Sequence, residues 1–218
     1  TLLDFIASQR DSLFQCFDLF GFGKCTEEMH LRYSAINISL WEMLERGERT
    51  KAEILTERFR RFFAEIGLPA DKAEAFNAAY EKRLPDTIRF FPHALETIEA
   101  LKGKVIQCSV TNGTQSVQER KMNETPLGAL FDHLFISEAV GAEKPDPRFF
   151  EVVFGTLGDI PRDRILIVGD SLTSDILGGL RADIHTCWYN PDAKKGRDDI
   201  RPEYEIRDLA EVLTLVGV

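Results

Sequence analysis

Three short stretches hold the residues whose types and spacing could do chemistry. The first runs Ile-Leu-Ile-Val-Gly-Asp-Ser-Leu-Thr-Ser-Asp from 165 to 175. The apolar run Ile165–Val168 reads as a strand buried on both faces, broken by Gly169 and ended by Asp170, with Asp175 at the start of a helix. In an open α/β sheet, ligands bind just past the carboxyl ends of the strands. Two carboxylates this close repel unless a positive charge lies near them. A hard, oxygen-ligated cation such as Mg²⁺ would satisfy both Asp170 and Asp175; the plainer alternative is that Asp170 only caps the following helix. The second stretch is Thr111-Asn112-Gly113 after the apolar run Val105–Val110. Its hydroxyl, side-chain amide and close-approaching backbone N–H could cradle an oxyanion, or form an ordinary strand-to-helix turn. The third is Gly141-Ala142-Glu143-Lys144-Pro145-Asp146-Pro147. Here Lys144, on a backbone stiffened by proline, could bridge a phosphoryl oxygen and a carboxylate; otherwise it is a solvated lysine before a proline-started helix. Together they supply neutral donors, one cation and two carboxylates. That set suits phosphoryl transfer, where catalysis is mostly positioning and charge neutralisation.

These residues need a scaffold. From Pro85 onward strands and helices alternate: a helix to Lys102, strand 105–110, helix from Thr114, strand 134–137, helix 147–155, strand 165–168, helix 173–182, strand 185–189 and helix 208–215. Strict alternation predicts a parallel sheet with helices on both faces, so the three stretches fall at one sheet edge. The region before Pro85 is different. Apolar residues recur at helical spacing through four segments, punctuated by Gly21, Gly23, Thr26, Gly47, Thr50 and Gly67-Leu68-Pro69. The fold class is therefore α/β, a Rossmann-like parallel-sheet core (1–5 and 85–218) with an inserted all-helical domain (6–84).

Bulk properties narrow the function. The chain has 218 residues, 44% hydrophobic and 29% charged, enough for a core domain and a smaller one. A net charge of −9 makes a nucleic-acid polymer a poor partner. The cluster Lys194, Lys195, Arg197 is interleaved with Asp192, Asp198 and Asp199 and reads as a solvated loop. No apolar run reaches the ~20 residues that span a bilayer. The four cysteines form no CxxC pair and suit a reducing cytoplasm, and the four histidines lack zinc-ligand spacing.

Thr111-Asn112-Gly113, Lys144-Pro145 and Gly169-Asp170-x-x-x-x-Asp175, in that order, resemble the second, third and fourth motifs of the haloacid-dehalogenase-like (HAD) hydrolases. The helical insert resembles that family's helical cap. The resemblance implies that Asp170 and Asp175 bind Mg²⁺, or that Asp175 steadies Lys144. It also implies that Lys144 holds the nucleophile and the transferring phosphoryl, and that Thr111 and Asn112 bind that phosphoryl. Dehalogenases of the family need no metal and lack the Gly-Asp-x-x-x-x-Asp pattern, so the resemblance favours a Mg²⁺-dependent phosphatase whose cap closes over a small phosphorylated substrate. The family's first motif is a strand ending Asp-x-Asp-x-Thr, and Thr1-Leu2-Leu3 matches only its tail. In the family its first aspartate forms an aspartyl-phosphate and its second is general acid and base. The expectation is that about ten residues, a strand with both aspartates, precede Thr1.

Tyr33-x-x-Ile36-Asn37-x-x-Leu40-Trp41, Gly47-x-x-Thr50, Ser174–Gly179 and Cys187-Trp188-Tyr189-Asn190 resemble the house-cleaning nucleoside-monophosphate phosphatases of that family. Pyrimidine nucleoside 5′-monophosphates are then the expected substrates. An aromatic side chain such as Trp41 or Tyr33 could stack on a base and Asn37 could bond its edge; equally, these residues could pack the helical core. The alternatives for function are a small sugar-phosphate or phosphoglycolate phosphatase, or a non-catalytic binding protein. A monomer or weak homodimer is expected.

Overall fold

The computed structural model describes residues 1–218. The chain forms two compact units, one of Asp4–Arg89 and the other of Thr1–Leu3 with Phe90–Val218. The boundaries lie at 3/4 and 89/90, a few residues from the 5/6 and 84/85 expected. Local hydrogen bonds explain the difference. The Asp4 carboxylate accepts from the Ala7 N–H at 2.9 Å and so belongs to the helix it caps, while the Asp4 N–H donates to Arg89 O at 2.8 Å.

The helical unit is built from α1 (Phe5–Phe20), α2 (Glu27–Glu45), α3 (Lys51–Ile66) and α4 (Ala73–Arg83). Its punctuation is the one visible in the sequence. Thr26 caps α2 through the Met29 N–H, and Thr50 with Glu53 forms a reciprocal capping box on α3. Gly21 and Gly67 close α1 and α3 in the left-handed conformation, with φ of 65° and 75°. The interior is aromatic: Phe17, Tyr33, Phe59, Phe62, Phe63, Phe76 and Tyr80 are all within 1% of full burial. Tyr33 stacks on Phe59 at 4.7 Å and Phe59 meets Phe76 at 4.8 Å, inside the range where ring pairs add to area burial. Arg58 crosses this core only 3% exposed; its Nε donates to Asn77 Oδ1 at 2.8 Å and its Nη2 to Glu81 Oε1 at 3.0 Å.

The second unit is the α/β part. After α5 (Ala94–Leu101) come β1 (Cys108–Thr111), α6 (Gln115–Asn123), the one-turn α7 (Leu127–Leu130) and β2 (His133–Ile136). Then follow the one-turn α8 (Ser137–Val140), α9 (Pro147–Leu157), β3 (Leu166–Gly169), a π-turn at Leu172–Ile176, α10 (Leu177–Arg181), β4 (His185–Tyr189), β5 (Tyr204–Ile206) and α11 (Glu211–Val216). All pairing between these strands is parallel. The sheet is in two segments, β2–β1 and β3–β4–β5, and β1 does not pair with β3. One apolar cluster nevertheless serves both: Val110 of β1, Phe135 of β2 and Ile167 of β3 pack with Phe149, Phe150 and Val153 of α9. α10 lies tight on β3 and β4 because Gly179 has no Cβ; one there would run into the Ile167 and Thr186 methyls.

Two strands differ from expectation. β1 begins at Cys108, three residues after Val105, because the Lys104 and Val105 N–H groups both turn back to Leu101 O and leave Ile106 54% exposed. β3 is not buried on both faces: Ile167 and Gly169 are buried while Leu166 and Val168 are half-buried. α7, α8 and β5 are too short to carry a period that a sequence reading could detect. No helix is long and apolar enough to cross a membrane, and all four cysteines are free.

His30 of α2 is 5% exposed, with its Nε2 3.3 Å from Gln9 Nε2. Burial pushes its pKa below the ordinary value of 6.5. The unfolded chain then takes up a proton that the folded chain resists, so stability should fall as pH drops below about 6.5. Thermal melts between about pH 5 and 8 should show this slope in the wild type and a flatter one in His30→Gln; parallel curves would exclude His30 as the group responsible.

Candidate active site

The carboxyl ends of β1 and β3 deliver Thr111 and Asp170, and the loop before α9 delivers Lys144. Lys144 is 4% exposed, so it is not the solvated lysine of the alternative reading, although α9 does start on Pro147 with Asp146 as its cap. Its ammonium donates to Val110 O at 2.8 Å and to Asp175 Oδ1 at 2.6 Å. An ammonium has three donors, so one remains uncommitted. The side chains of the pair are only 6% and 12% exposed. Each charge therefore needs the other, since an unpaired buried ion costs several kcal/mol.

The backbone at Lys144 is fixed by Asn112. The Asn112 Nδ2 donates to Lys144 O at 2.8 Å and to Ser174 Oγ at 3.2 Å, and the Lys144 N–H donates to Asn112 Oδ1 at 2.9 Å. Both amide protons and the carbonyl are thereby used, and Asn112 serves as a clamp between β1, the lysine loop and the π-turn. Ser174, 4% exposed, is also a member of this network. Its only signal is its place directly before Asp175. Gly113 also differs from the expected oxyanion donor: its N–H donates to Thr111 Oγ1 at 3.1 Å. The Thr111 hydroxyl accepts that bond and keeps its own proton to give.

Asp175 is held from both sides. Its Oδ1 takes the Lys144 ammonium, and its Oδ2 accepts from the Ser171 N–H at 3.1 Å. Asp175 thus steadies Lys144, one of the two roles open to it. The side chain folds back beneath the end of β3, and only a glycine at 169 allows this; a Cβ there would meet the Asp175 Cβ, Cγ and Oδ2. Asp170 points the other way. Its side chain is 58% exposed, and its Oδ1 accepts from the Thr1 hydroxyl at 2.7 Å and lies 2.8 Å from the Thr1 nitrogen. A hard cation fits this donor. Mg²⁺ is commonly held by one or two carboxylates and completes its shell with water and substrate oxygens. The 218 residues gather no group of three or more acidic, histidine or cysteine side chains suited to a metal; of the two carboxylates expected to bind one, Asp170 is exposed and Asp175 is committed to Lys144.

The two residues expected to read a base lie in the helical unit. Asn37 is 2% exposed and its Nδ2 donates to Gln9 Oε1 at 3.2 Å, joining α2 to α1. Trp41 is half-buried against the cluster of Leu40, Leu44 and Ile54.

Removing one partner of the buried pair should be severe. Asp175→Ala should lower unfolding free energy by about 3–5 kcal/mol in urea titrations, because Lys144 is left uncompensated. The double variant Lys144→Met with Asp175→Leu should recover a large part of that loss. A double variant as unstable as the single would show that the pair's mutual compensation is not what matters.

The profile of the haloacid dehalogenase-like hydrolase family matches residues 1–189. YfnB of Bacillus subtilis (strain 168), grouped with the HAD hydrolases, is 34% identical over 218 residues, covering 100% of this chain and 92% of its own. Its crystal structure bound to magnesium has a TM-score of 0.94 at 33% identity, covering 100% of this chain and 95% of that one. The pyrimidine 5′-nucleotidase YjjG of Escherichia coli (strain K12) is 30% identical over 88% of this chain and 84% of its own. The pyrimidine 5′-nucleotidase PynA of Streptococcus pneumoniae (strain ATCC BAA-255 / R6) is 30% identical over 98% of this chain and 90% of its own. With its ordered motifs gathered at one sheet edge, the chain belongs to the haloacid dehalogenase-like hydrolase family.

Proposed function

We propose that the protein hydrolyses phosphomonoesters with the help of Mg²⁺, and that pyrimidine nucleoside 5′-monophosphates are its substrates. The observation that carries this reading is the uncommitted third N–H of the buried Lys144, together with an uncommitted Thr111 hydroxyl proton and the exposed Asp170 carboxylate. These are a fixed cation, a neutral donor and a metal-ready carboxylate, the groups a dianionic phosphoryl needs. The relatives YjjG and PynA, both pyrimidine 5′-nucleotidases, support the substrate class.

In this reading the phosphoryl oxygens take hydrogen bonds from Lys144 Nζ and Thr111 Oγ1. Asn112, Ser174 and Asp175 do not touch the substrate; they hold Lys144 in place. Asp170 would hold the Mg²⁺, which neutralises charge on the phosphoryl oxygens when bound. By likeness to the family, transfer would pass through an aspartyl-phosphate. For the base we put forward Trp41, whose half-buried ring can offer a face for stacking. Asn37 contributes by holding α1 to α2.

The test is phosphate release from uridine and thymidine 5′-monophosphates beside a panel of sugar phosphates, with and without a chelator. Release from the nucleotides alone, abolished by chelation and restored by Mg²⁺, is expected. Lys144→Ala should lower kcat by about 10²–10³-fold, the usual loss for one preorganised donor. Equal release from sugar phosphates would overturn the nucleotide assignment, and full activity in chelator would overturn the Mg²⁺ requirement.

A further inference from the structure

Asp170 is the first residue past the end of β3, where ladder hydrogen bonds stop. The last register pair is Gly169 with Trp188 of β4. Beyond it, the peptide joining Asp170 to Ser171 has no strand partner, and a displacement of that peptide would carry the Asp170 Cα and its carboxylate with it. Both polar groups of that peptide are nevertheless held. The Ser171 N–H donates to Asp175 Oδ2 at 3.1 Å, and the Asp170 carbonyl accepts from the Trp188 indole Nε1–H at 3.1 Å.

The indole itself has little freedom. Trp188 is 4% exposed and packs with Ile176 and Ile200, with Leu172 and Leu177 against the same cluster. A tryptophan N–H buried in this way needs an acceptor, and here the acceptor is the main chain of the residue that faces the reaction. Asp175 and Trp188 thus clamp one peptide plane from opposite ends, but Asp175 also serves Lys144, whereas the Trp188 N–H has Asp170 as its partner.

We infer that Trp188 is a positioning residue for Asp170: its indole N–H sets the peptide plane from which the Asp170 carboxylate reaches the Mg²⁺. This inference rests on the reading of Asp170 as a metal ligand. The action of Trp188 is through the Asp170 main chain.

The deciding experiment is calorimetric titration of the intact protein with Mg²⁺, for wild type and Trp188→Phe, with melting temperatures taken without metal. Phe keeps the ring in the apolar cluster and removes the N–H. The expected result is Mg²⁺ binding weakened by about three- to tenfold, the equivalent of one net hydrogen bond, with a metal-free melting temperature close to wild type. Wild-type-like Mg²⁺ affinity in Trp188→Phe would overturn the role of Trp188 and leave Asp170 as a ligand. A wild type that binds no Mg²⁺ would overturn the metal reading and this inference with it. A second readout stands if Trp188→Phe does not fold. The chain has two tryptophans, so in a Trp41→Phe background the emission is that of Trp188. Saturation with Mg²⁺ should shift it, and binding without any shift would count against the coupling.

Discussion

The ion pair between Lys144 and Asp175 is the constraint on which the site depends. It buries two charges, which is favourable only because each finds further partners: Val110 O for the ammonium and the Ser171 N–H for the carboxylate. The consequence is geometric. β1 and β3 share no ladder hydrogen bonds, yet their carboxyl ends are joined through Val110 O, Lys144, Asp175 and Ser171. Everything else at this edge adjusts to that chain of contacts. Asn112 and Ser174 fix the lysine backbone, Gly169 leaves room for the carboxylate, and the π-turn brings Asp175 back toward the strand end it started from.

The two units are stabilised in different ways. The helical unit relies on mass: most of its large buried apolar side chains are aromatic, and its helices are separated by strong caps, so its fold follows from hydrophobic burial and local signals. The α/β unit relies more on specific polar contacts at one edge, over a core of smaller aliphatic side chains and the phenylalanines of α9. That edge holds buried polar groups whose hydrogen bonds are satisfied mutually, an arrangement that specifies one geometry.

Much of this was readable in the sequence, for physical reasons. The four long helices carry clear periods and clear caps, and each lies within a few residues of its expected place. The motif residues do meet at one sheet edge, because parallel strands joined by helices bring every strand end to the same side. Roles within that edge were harder to read. Spacing tells which residues are neighbours but not which lone pair meets which proton, so Asn112 and Gly113 looked like open anion donors although their N–H groups are turned inward. Asn37 and Trp41 sit at helical spacing, which serves core packing and ligand contact equally, and burial alone separates them. The early start assigned to β1 came from apolar Val105 and Ile106, whose backbone is taken by the turn after α5. Trp188 stands in one of the stretches that carry the family resemblance, but its contact could not be read there, since its partner is a backbone atom 18 residues away.

The π-turn at Leu172–Ile176 gives the interval between the two aspartates the character of a ruler. A π-turn holds an extra residue relative to an α-turn, and here that residue is needed for Asp175 to reach back to Ser171 and Lys144. Each added or removed residue would rotate everything after it by about 100° around the helix axis, carrying Asp175 off the lysine and Gly179 off the sheet together. The length of this segment is therefore more constrained than a surface turn's would be. Insertions belong elsewhere, in stretches such as the exposed loop 192–199, where no carboxylate is being measured out against a strand end.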